Sequence, residues 1–200
     1  MRSFRLHIIQ YNGLDVLSRS IRRLTVSLSK SAQSIKHPGV TKPMQLKSVV
    51  LPKDLIILVD TREQQPLFTG NPRVQIDTVH HGDYTIKGFE HLFAIERKKQ
   101  SDLWTYCSSE MNTRTKRKMG EFNQIVRGGG FVGLVIEASE DDLLGGYAWS
   151  GKYNPNVVRG AIASFEVDYG VNVYYNRDRQ AIERWILDRM VRFWENMHKI

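Results

Sequence analysis

The chain has 200 residues, of which 41% are hydrophobic and 25% are charged, and its formal net charge is +8. This composition excludes an intrinsically disordered protein, and no apolar stretch approaches the ~18 residues of a membrane-spanning helix. A single cysteine, Cys107, excludes an internal disulfide framework and a multi-cysteine zinc site, and it fits a reducing compartment.

The first 50 residues form a basic extension. They hold nine Lys or Arg against one acid, so their charge is +8, and residues 51–200 are neutral with twenty bases and twenty acids. We expect a disordered extension over 1–50 and a folded domain over 51–200. Three interpretations of the extension remain open: a targeting peptide, a basic arm that contacts DNA, or a misassigned start with Met44 as the natural first residue.

The first half of the folded domain is typical of strands. The run LIILVD at 55–60 predicts a buried strand, and the alternation of Val74, Ile76 and Thr78 predicts a half-buried one. A turn at 81–83 is followed by a predicted hairpin, with strands at 84–86 and 92–96 around Lys87 and Gly88.

Helices and strands alternate in the second half. We expect a helix that starts near Ser101 and extends from 103 to about 126, a strand at 131–137, a helix at 156–169 and a strand at 171–175. Apolar residues from Ile182 to Trp194 repeat at helical spacing to the C-terminus. Strands that first follow one another in antiparallel succession, and then alternate with helices, predict an α/β layered domain with a mixed sheet.

Carboxylates are concentrated between residues 60 and 102. Asp60 and Glu96 each end an apolar strand, Asp83 follows a glycine at a turn, and Asp102 lies where a helix begins. Carboxylates that are brought together repel one another, and a bound hard cation relieves that repulsion. Asp and Glu oxygens suit Mg²⁺ or Mn²⁺.

The order Glu96, Arg97, Lys98 adds a geometric expectation. On a strand, residues i and i+2 face the same side. Glu96 and Lys98 should therefore point into one pocket, whereas Arg97 should point away and anchor the site through Glu63 or Asp102. A carboxylate that holds a metal beside an ammonium that orients or deprotonates a water is a coherent site for attack on phosphorus.

These segments resemble a known family. The motifs VDTRE at 59–63, GDY at 82–84 and ERK at 96–98, with Asp102 beyond, are similar to the nuclease domain of the XPF/Mus-type structure-specific endonucleases, of the PD-(D/E)XK superfamily. The resemblance covers roughly residues 55–140. It implies a restriction-endonuclease-like three-layer α/β domain, with a central mixed β-sheet flanked by helices. It also implies cleavage of branched, flap or junction DNA during repair, recombination or replication, with branched or single-strand-containing DNA as the partner.

The resemblance also implies roles for individual residues. Asp60, Asp83, Glu96 and, as a further candidate, Glu63 would bind Mg²⁺ or Mn²⁺, and Lys98 would be the catalytic lysine. The supporting residues would be Arg62, Arg97 and Asp102. DNA contacts are expected from a basic run and an aromatic segment: Arg114, Lys116, Arg117, Lys118, Tyr147 and Trp149.

The chain departs from the family pattern at its C-terminus. About 25 residues follow Tyr175, without the tandem helix-hairpin-helix module that family members commonly carry, so we expect a stand-alone form. We also expect either a homodimer or a partner that supplies the DNA-binding module. Two alternative functions remain open: a catalytically silent DNA-binding scaffold subunit, and a phosphoesterase that acts on RNA or nucleotides.

Overall fold

A computed structural model describes residues 48–107, 112–144 and 154–199 of the chain. Its strands are β1 (Ile57–Asp60), β2 (Val74–Asp77), β3 (Tyr84–Ile86), β4 (Phe93–Lys99), β5 (Phe131–Glu137) and β6 (Asn172–Tyr175). Its helices are α1 (Gln100–Cys107), α2 (Asn112–Arg127), α3 (Glu140–Leu144), α4 (Pro155–Val167) and α5 (Arg179–Met197).

The described strands form one six-stranded mixed sheet in the order β2-β1-β3-β4-β5-β6. β3 pairs antiparallel with both β1 and β4, whereas β4 with β5, β5 with β6, and β1 with β2 are parallel. β4 pairs with β5 along its whole length, from Phe93 to Lys99, whereas on its other edge it meets β3 at Ile95. The charged end of β4 is therefore held by β5 on one side and lies next to the turn before β3 on the other.

Successive residues of the central strands pack on opposite faces of the sheet. Ala94 and Leu134 contribute to a core with helices α1, α2 and α4. Ile95 and Val135, each the next residue along, contribute to a second core with α5. This alternation is the period-2 geometry of a strand. The described part of residues 48–199 consequently has three layers, with helices on both faces of the sheet.

The predicted α/β class with a mixed sheet is confirmed, and all six described strands were expected with small shifts at their ends. The helix expected from 103 to about 126 corresponds to α1 and α2, with residues 108–111 outside the described part. The expected antiparallel succession is wrong for β2, which pairs parallel with β1 because the dozen or so residues between them are long enough for a crossover connection. This edge strand is also more exposed than predicted, since Ile76 is 70% exposed. The short helix α3 was not predicted. None of the helices described is long and apolar enough to cross a membrane. Residues 1–47 lie outside the described residues, so the extension and its boundary stay predictions.

Candidate active site

A glycine turn brings Asp83 against strand β4. Gly82 has φ +80°, and a Cβ at this position would lie 2.6 Å from the carbonyl oxygen of Ile95. Glycine alone tolerates both the positive φ and this approach. The turn is fixed by two backbone hydrogen bonds: the amide of Asp83 donates to Ile95 O (2.7 Å), and the amide of Asp60 donates to Asp83 O (2.9 Å). Asp83 is thereby held between the ends of β1 and β4.

Asp83, Glu96 and Lys98 meet on the face of the sheet that carries α1 and α2. The amide of Arg97 donates to Asp83 Oδ2 at 2.6 Å, which attaches the Asp83 side chain to β4. Lys98 Nζ donates to Glu96 Oε1 at 2.5 Å. Glu96 is fully buried, so this charge depends on partners inside the protein. The structure places Glu96 and Lys98 on one side of the strand, as alternation predicts.

Lys118 of helix α2 is a second cation on the same carboxylate. Its Nζ lies 2.5 Å from Glu96 Oε2, as an ion pair that lacks hydrogen-bond geometry. The sequence predicted Lys118 only as part of a basic run. The pairing depends on the rotation of α2 against β4, which a run of four neighbouring cations does not reveal.

The electrostatics of the cluster follow from burial and proximity. Burial, with the nearby charge of Glu96, raises the pKa of Asp83 to about 6. Burial lowers the pKa of Lys98, but the negative charges of Glu96 and Asp83 raise it by more, so the pKa of this lysine is raised overall. Lys98 is therefore an ammonium at neutral pH. It can orient groups and neutralise negative charge, but in this arrangement it is not poised to remove a proton.

Asp60 ends β1 with its carboxylate fully engaged. It accepts two hydrogen bonds from the Arg62 side chain (2.7 and 2.9 Å), one from the Arg62 amide (2.8 Å) and one from the Val79 amide (3.0 Å). The Arg62 side chain is the main cause of a pKa lowered to about 2. These bonds shape the turn after β1. The metal-binding role of Asp60 stays a prediction.

Arg97 lies on the opposite face, in a buried charge network. Its Nη2 and Nε donate to Glu63 at 2.6 and 3.1 Å, and its Nη1 lies 2.9 Å from Glu137 Oε1. Arg179 of helix α5 donates to the same Glu137 oxygen at 2.6 Å. The anchoring of Arg97 through Glu63 agrees with the sequence prediction, whereas Glu137 and Arg179 were missed. Glu63 is occupied by Arg97, and its candidacy as a metal ligand stays a prediction.

Two depressions meet at Lys98 and Asp102. One, which we call the α1–α2 cavity, has a volume of about 320 Å³ and is bounded by Glu96, Lys98, Asp102, Thr105, Tyr106, Arg114, Thr115 and Lys118. The other has a volume of about 230 Å³ and includes Asp83 and Glu63. Asp102, in the first turn of α1, is exposed and lies on the ridge between them.

The four predicted DNA-contacting cations of helix α2 lie on different surfaces, and their role stays a prediction. Arg114 and Lys118, one helical turn apart, line the α1–α2 cavity, whereas Lys116 lines a neighbouring depression and Arg117 faces solvent near Glu121. The aromatic residues Tyr147 and Trp149 lie outside the described residues. The structure thus separates two cations of the basic run that border the candidate site from two that do not.

The residues present fit a hard divalent cation. Among the described residues no group of three or more His, Cys, Asp and Glu side chains stands close enough to hold a metal. Asp83 and Glu96 nevertheless form a repelling carboxylate pair, because the charge of Glu96 helps to raise the pKa of Asp83. Lys98 and Lys118 each lie on one oxygen of Glu96, so a cation would take the place of one of these ammonium groups. Mg²⁺ is commonly bound through one or two carboxylates together with waters and phosphates. We infer that these two carboxylates would hold it.

The chain is similar to proteins of known family and structure. The ERCC4 domain family matches residues 59–188, whereas no curated protein matches the chain. A solved structure of XPF from Aeropyrum pernix in complex with DNA is similar with TM-score 0.49 and 16% identity, over 71% of this chain and 66% of that chain. A second structure of XPF from Aeropyrum pernix has TM-score 0.48 and 18% identity, over 68% and 59%. The chain thus spans less than two thirds of the length of either.

Proposed function

Because the chain belongs to the ERCC4 domain family, we propose that it is a metal-dependent endonuclease that hydrolyses phosphodiester bonds in branched, flap or junction DNA. Family membership confirms the resemblance on which the sequence prediction of function depended. The substrate class, the metal dependence and the roles of individual residues are parts of the proposal.

The observation that carries the proposal is the cluster of Asp83, Glu96 and Lys98 at one end of β4. Two carboxylates and an ammonium converge there, and the pKa of Asp83 is raised to about 6 by burial and by Glu96. Perturbed carboxylates beside a lysine and a cleft are typical of catalytic sites.

Each residue then has a defined task. Asp83 and Glu96 would bind Mg²⁺ or Mn²⁺, which neutralises charge that develops on phosphoryl oxygens. Lys98, as an ammonium, holds Glu96 and faces the phosphate as a fixed positive charge. On the far face of β4, Arg97 and Glu63 hold the strand end in position, and Asp102 on the ridge would orient a neighbouring group.

The test is cleavage of labelled duplex, single-strand, flap, fork and four-way-junction DNA with Mg²⁺, Mn²⁺ or EDTA. We expect metal-dependent cutting of at least one branched substrate. Asp83→Asn and Lys98→Ala should abolish it, whereas Lys53→Ala, which removes an exposed lysine before β1, should not. RNA versions of the same substrates test the alternative of a phosphoesterase that acts on RNA or nucleotides: that alternative expects RNA to be cut, and the proposed function expects DNA to be cut.

Wild-type cutting rates in Lys98→Ala would refute the assigned roles. If a branched substrate is bound tightly and no substrate is cut, the scaffold alternative is favoured. The expected homodimer stays a prediction, and light scattering with and without DNA checks it.

A further inference from the structure

The α1–α2 cavity extends from the proposed catalytic cluster, whose Glu96 and Lys98 line it, toward Arg114 and Tyr106, which have no role in the proposed function. Its volume of about 320 Å³ falls at the lower end of the ~300–1,000 Å³ range of small-ligand clefts. A cleft of this size between two helices suits one small group rather than a base pair. Glu96 and Lys98 form its inner wall, so an occupant would lie directly beside the cluster.

The charges around the cavity favour a phosphate group. Lys98 and Lys118 share the single carboxylate of Glu96, one on each oxygen. Within the lining, these two ammonium groups face the one carboxylate of Glu96, while Asp83 acts on both of them from outside the lining. Arg114, exposed and one turn before Lys118, adds a third cation and has no ion-pair partner among the described residues. Asp102, also exposed, is the other acid of the lining.

Tyr106 supplies an aromatic wall with a polar end. Its ring lies 4.9 Å from Lys98 Nζ, and its hydroxyl is buried without a hydrogen-bond partner in the described part of the chain. Buried polar groups are nearly always hydrogen-bonded, and an orphaned one beside a cavity points to a ligand that completes it. Nucleobases offer both a face for stacking and polar edges, and aromatic side chains bind unpaired bases in this way.

We propose that the α1–α2 cavity binds one unpaired nucleotide of the DNA strand, next to the phosphate that Lys98 faces. Arg114 and Lys118 contact the phosphate of that nucleotide, and Tyr106 contacts its base. A nucleotide in a duplex is stacked and paired, so it cannot enter without being extruded. The proposal rests on the proposed function and deepens it, since it names unpaired nucleotides as the structural feature that the site selects.

The experiment measures binding in EDTA, which separates it from cleavage. Calorimetry compares deoxyadenosine 5′-monophosphate with inorganic phosphate and deoxyadenosine, and anisotropy compares a fork with an unpaired arm against the matching duplex. The test variants are Arg114→Ala and Tyr106→Phe. The control is Arg127→Ala, which removes an exposed arginine at the far end of α2, roughly 20 Å from Arg114 at 1.5 Å per residue. Circular dichroism verifies that each variant is folded.

We expect the monophosphate to bind at least about tenfold more tightly than either fragment, which corresponds to ~1.4 kcal/mol. Arg114→Ala should lower the affinity for the monophosphate and for the fork by about tenfold, because a charge-assisted contact is lost. The affinity of this variant for the duplex should fall much less. Tyr106→Phe should lower the affinity for the monophosphate and leave the affinity for inorganic phosphate unchanged. Arg127→Ala should leave the monophosphate affinity unchanged.

Two results would overturn the proposal. If the monophosphate binds no better than phosphate, the cavity is a general anion site. If Arg114→Ala weakens fork and duplex equally, the residue contacts the DNA backbone without selecting unpaired nucleotides. Either result with an active nuclease refutes this inference alone, whereas intact nucleotide binding in a protein that cuts nothing refutes the proposed function alone.

Discussion

Replacing Gly82 with alanine tests how the Asp83 turn is held, and Gly88 offers a matched control. Both glycines have positive φ, +80° and +85°. An alanine at either position therefore has a conformational cost of about 1–2 kcal/mol. The positions differ in space: a Cβ at Gly88 meets nothing within 4 Å, whereas at Gly82 it would lie 2.6 Å from Ile95 O and 2.9 Å from Ile95 C.

Both overlapping atoms belong to the backbone of β4, which is paired on both sides, so side-chain rotation cannot relieve the overlap. Overpacking of this kind costs about 1–3 kcal/mol. We therefore expect Gly82→Ala to lower the free energy of unfolding by about 2 kcal/mol more than Gly88→Ala. Because relief moves Ile95 away from Asp83, cleavage should also fall in Gly82→Ala and stay unchanged in Gly88→Ala.

Urea unfolding followed by circular dichroism measures both variants under the same conditions. Unchanged m-values would show that the difference is one of stability rather than of the denatured state. Equal losses in the two variants would show that the approach of Gly82 to β4 is not tight. The geometric argument for the position of Asp83 would then be wrong.

Three further predictions follow from the same structure. Arg97→Met leaves Glu63 buried without its cation, so the free energy of unfolding should fall by about 3–5 kcal/mol; a loss below 1 kcal/mol in urea unfolding would contradict this. Arg62 holds the pKa of Asp60 at about 2, below the usual 3.8. The ionised Asp60 therefore stabilises the folded state fully above pH ~4, and this stabilisation, about 2 kcal/mol, is lost as the pH falls toward 2. Unfolding measured at several pH values should show a smaller acid loss in Asp60→Asn. Mg²⁺ at about 100 times its Kd should stabilise the wild type by ~2.7 kcal/mol, seen as a rise in Tm that EDTA reverses, and an equal rise in Glu96→Gln would argue against the assigned ligand.

Local patterns were sufficient for most of the fold and for part of the site. The run LIILVD contains β1, and the alternation at 93–98 correctly placed Glu96 and Lys98 together and Arg97 apart. These predictions succeeded because strand periodicity is a property of neighbouring residues. The Asp83 turn was predictable for a similar reason, since a Gly-Asp pair is a local turn signal.

The remainder depends on how distant elements pack. Lys118 reaches Glu96 because α2 is rotated with that side chain toward β4, and Glu137 meets Arg97 because β5 pairs parallel to β4. Neither the rotation of α2 nor the pairing of β5 with β4 can be predicted from a short segment of sequence.

Helix α3 is different, because a local signal was present. Ser139 and Asp142 exchange hydrogen bonds, with Ser139 N donating to Asp142 Oδ2 and Asp142 N donating to Ser139 Oγ. This is the reciprocal pattern of a capping box. The helix has only five residues, which is too short for a hydrophobic period to reveal it.

The alternation along β4 has a consequence for mutational scanning. Ile95 and Arg97 lie in the half of the molecule that α5 covers, whereas Glu96 and Lys98 line the α1–α2 cavity. In a library that covers this strand, screened separately for soluble protein and for DNA cleavage, tolerance should change from one codon to the next. Replacements at 95 and 97 should remove both traits together, while those at 98 should yield soluble protein that binds DNA without cutting it. One short strand would thus supply both the stability markers of the domain and a cleavage-deficient variant for trapping its substrates.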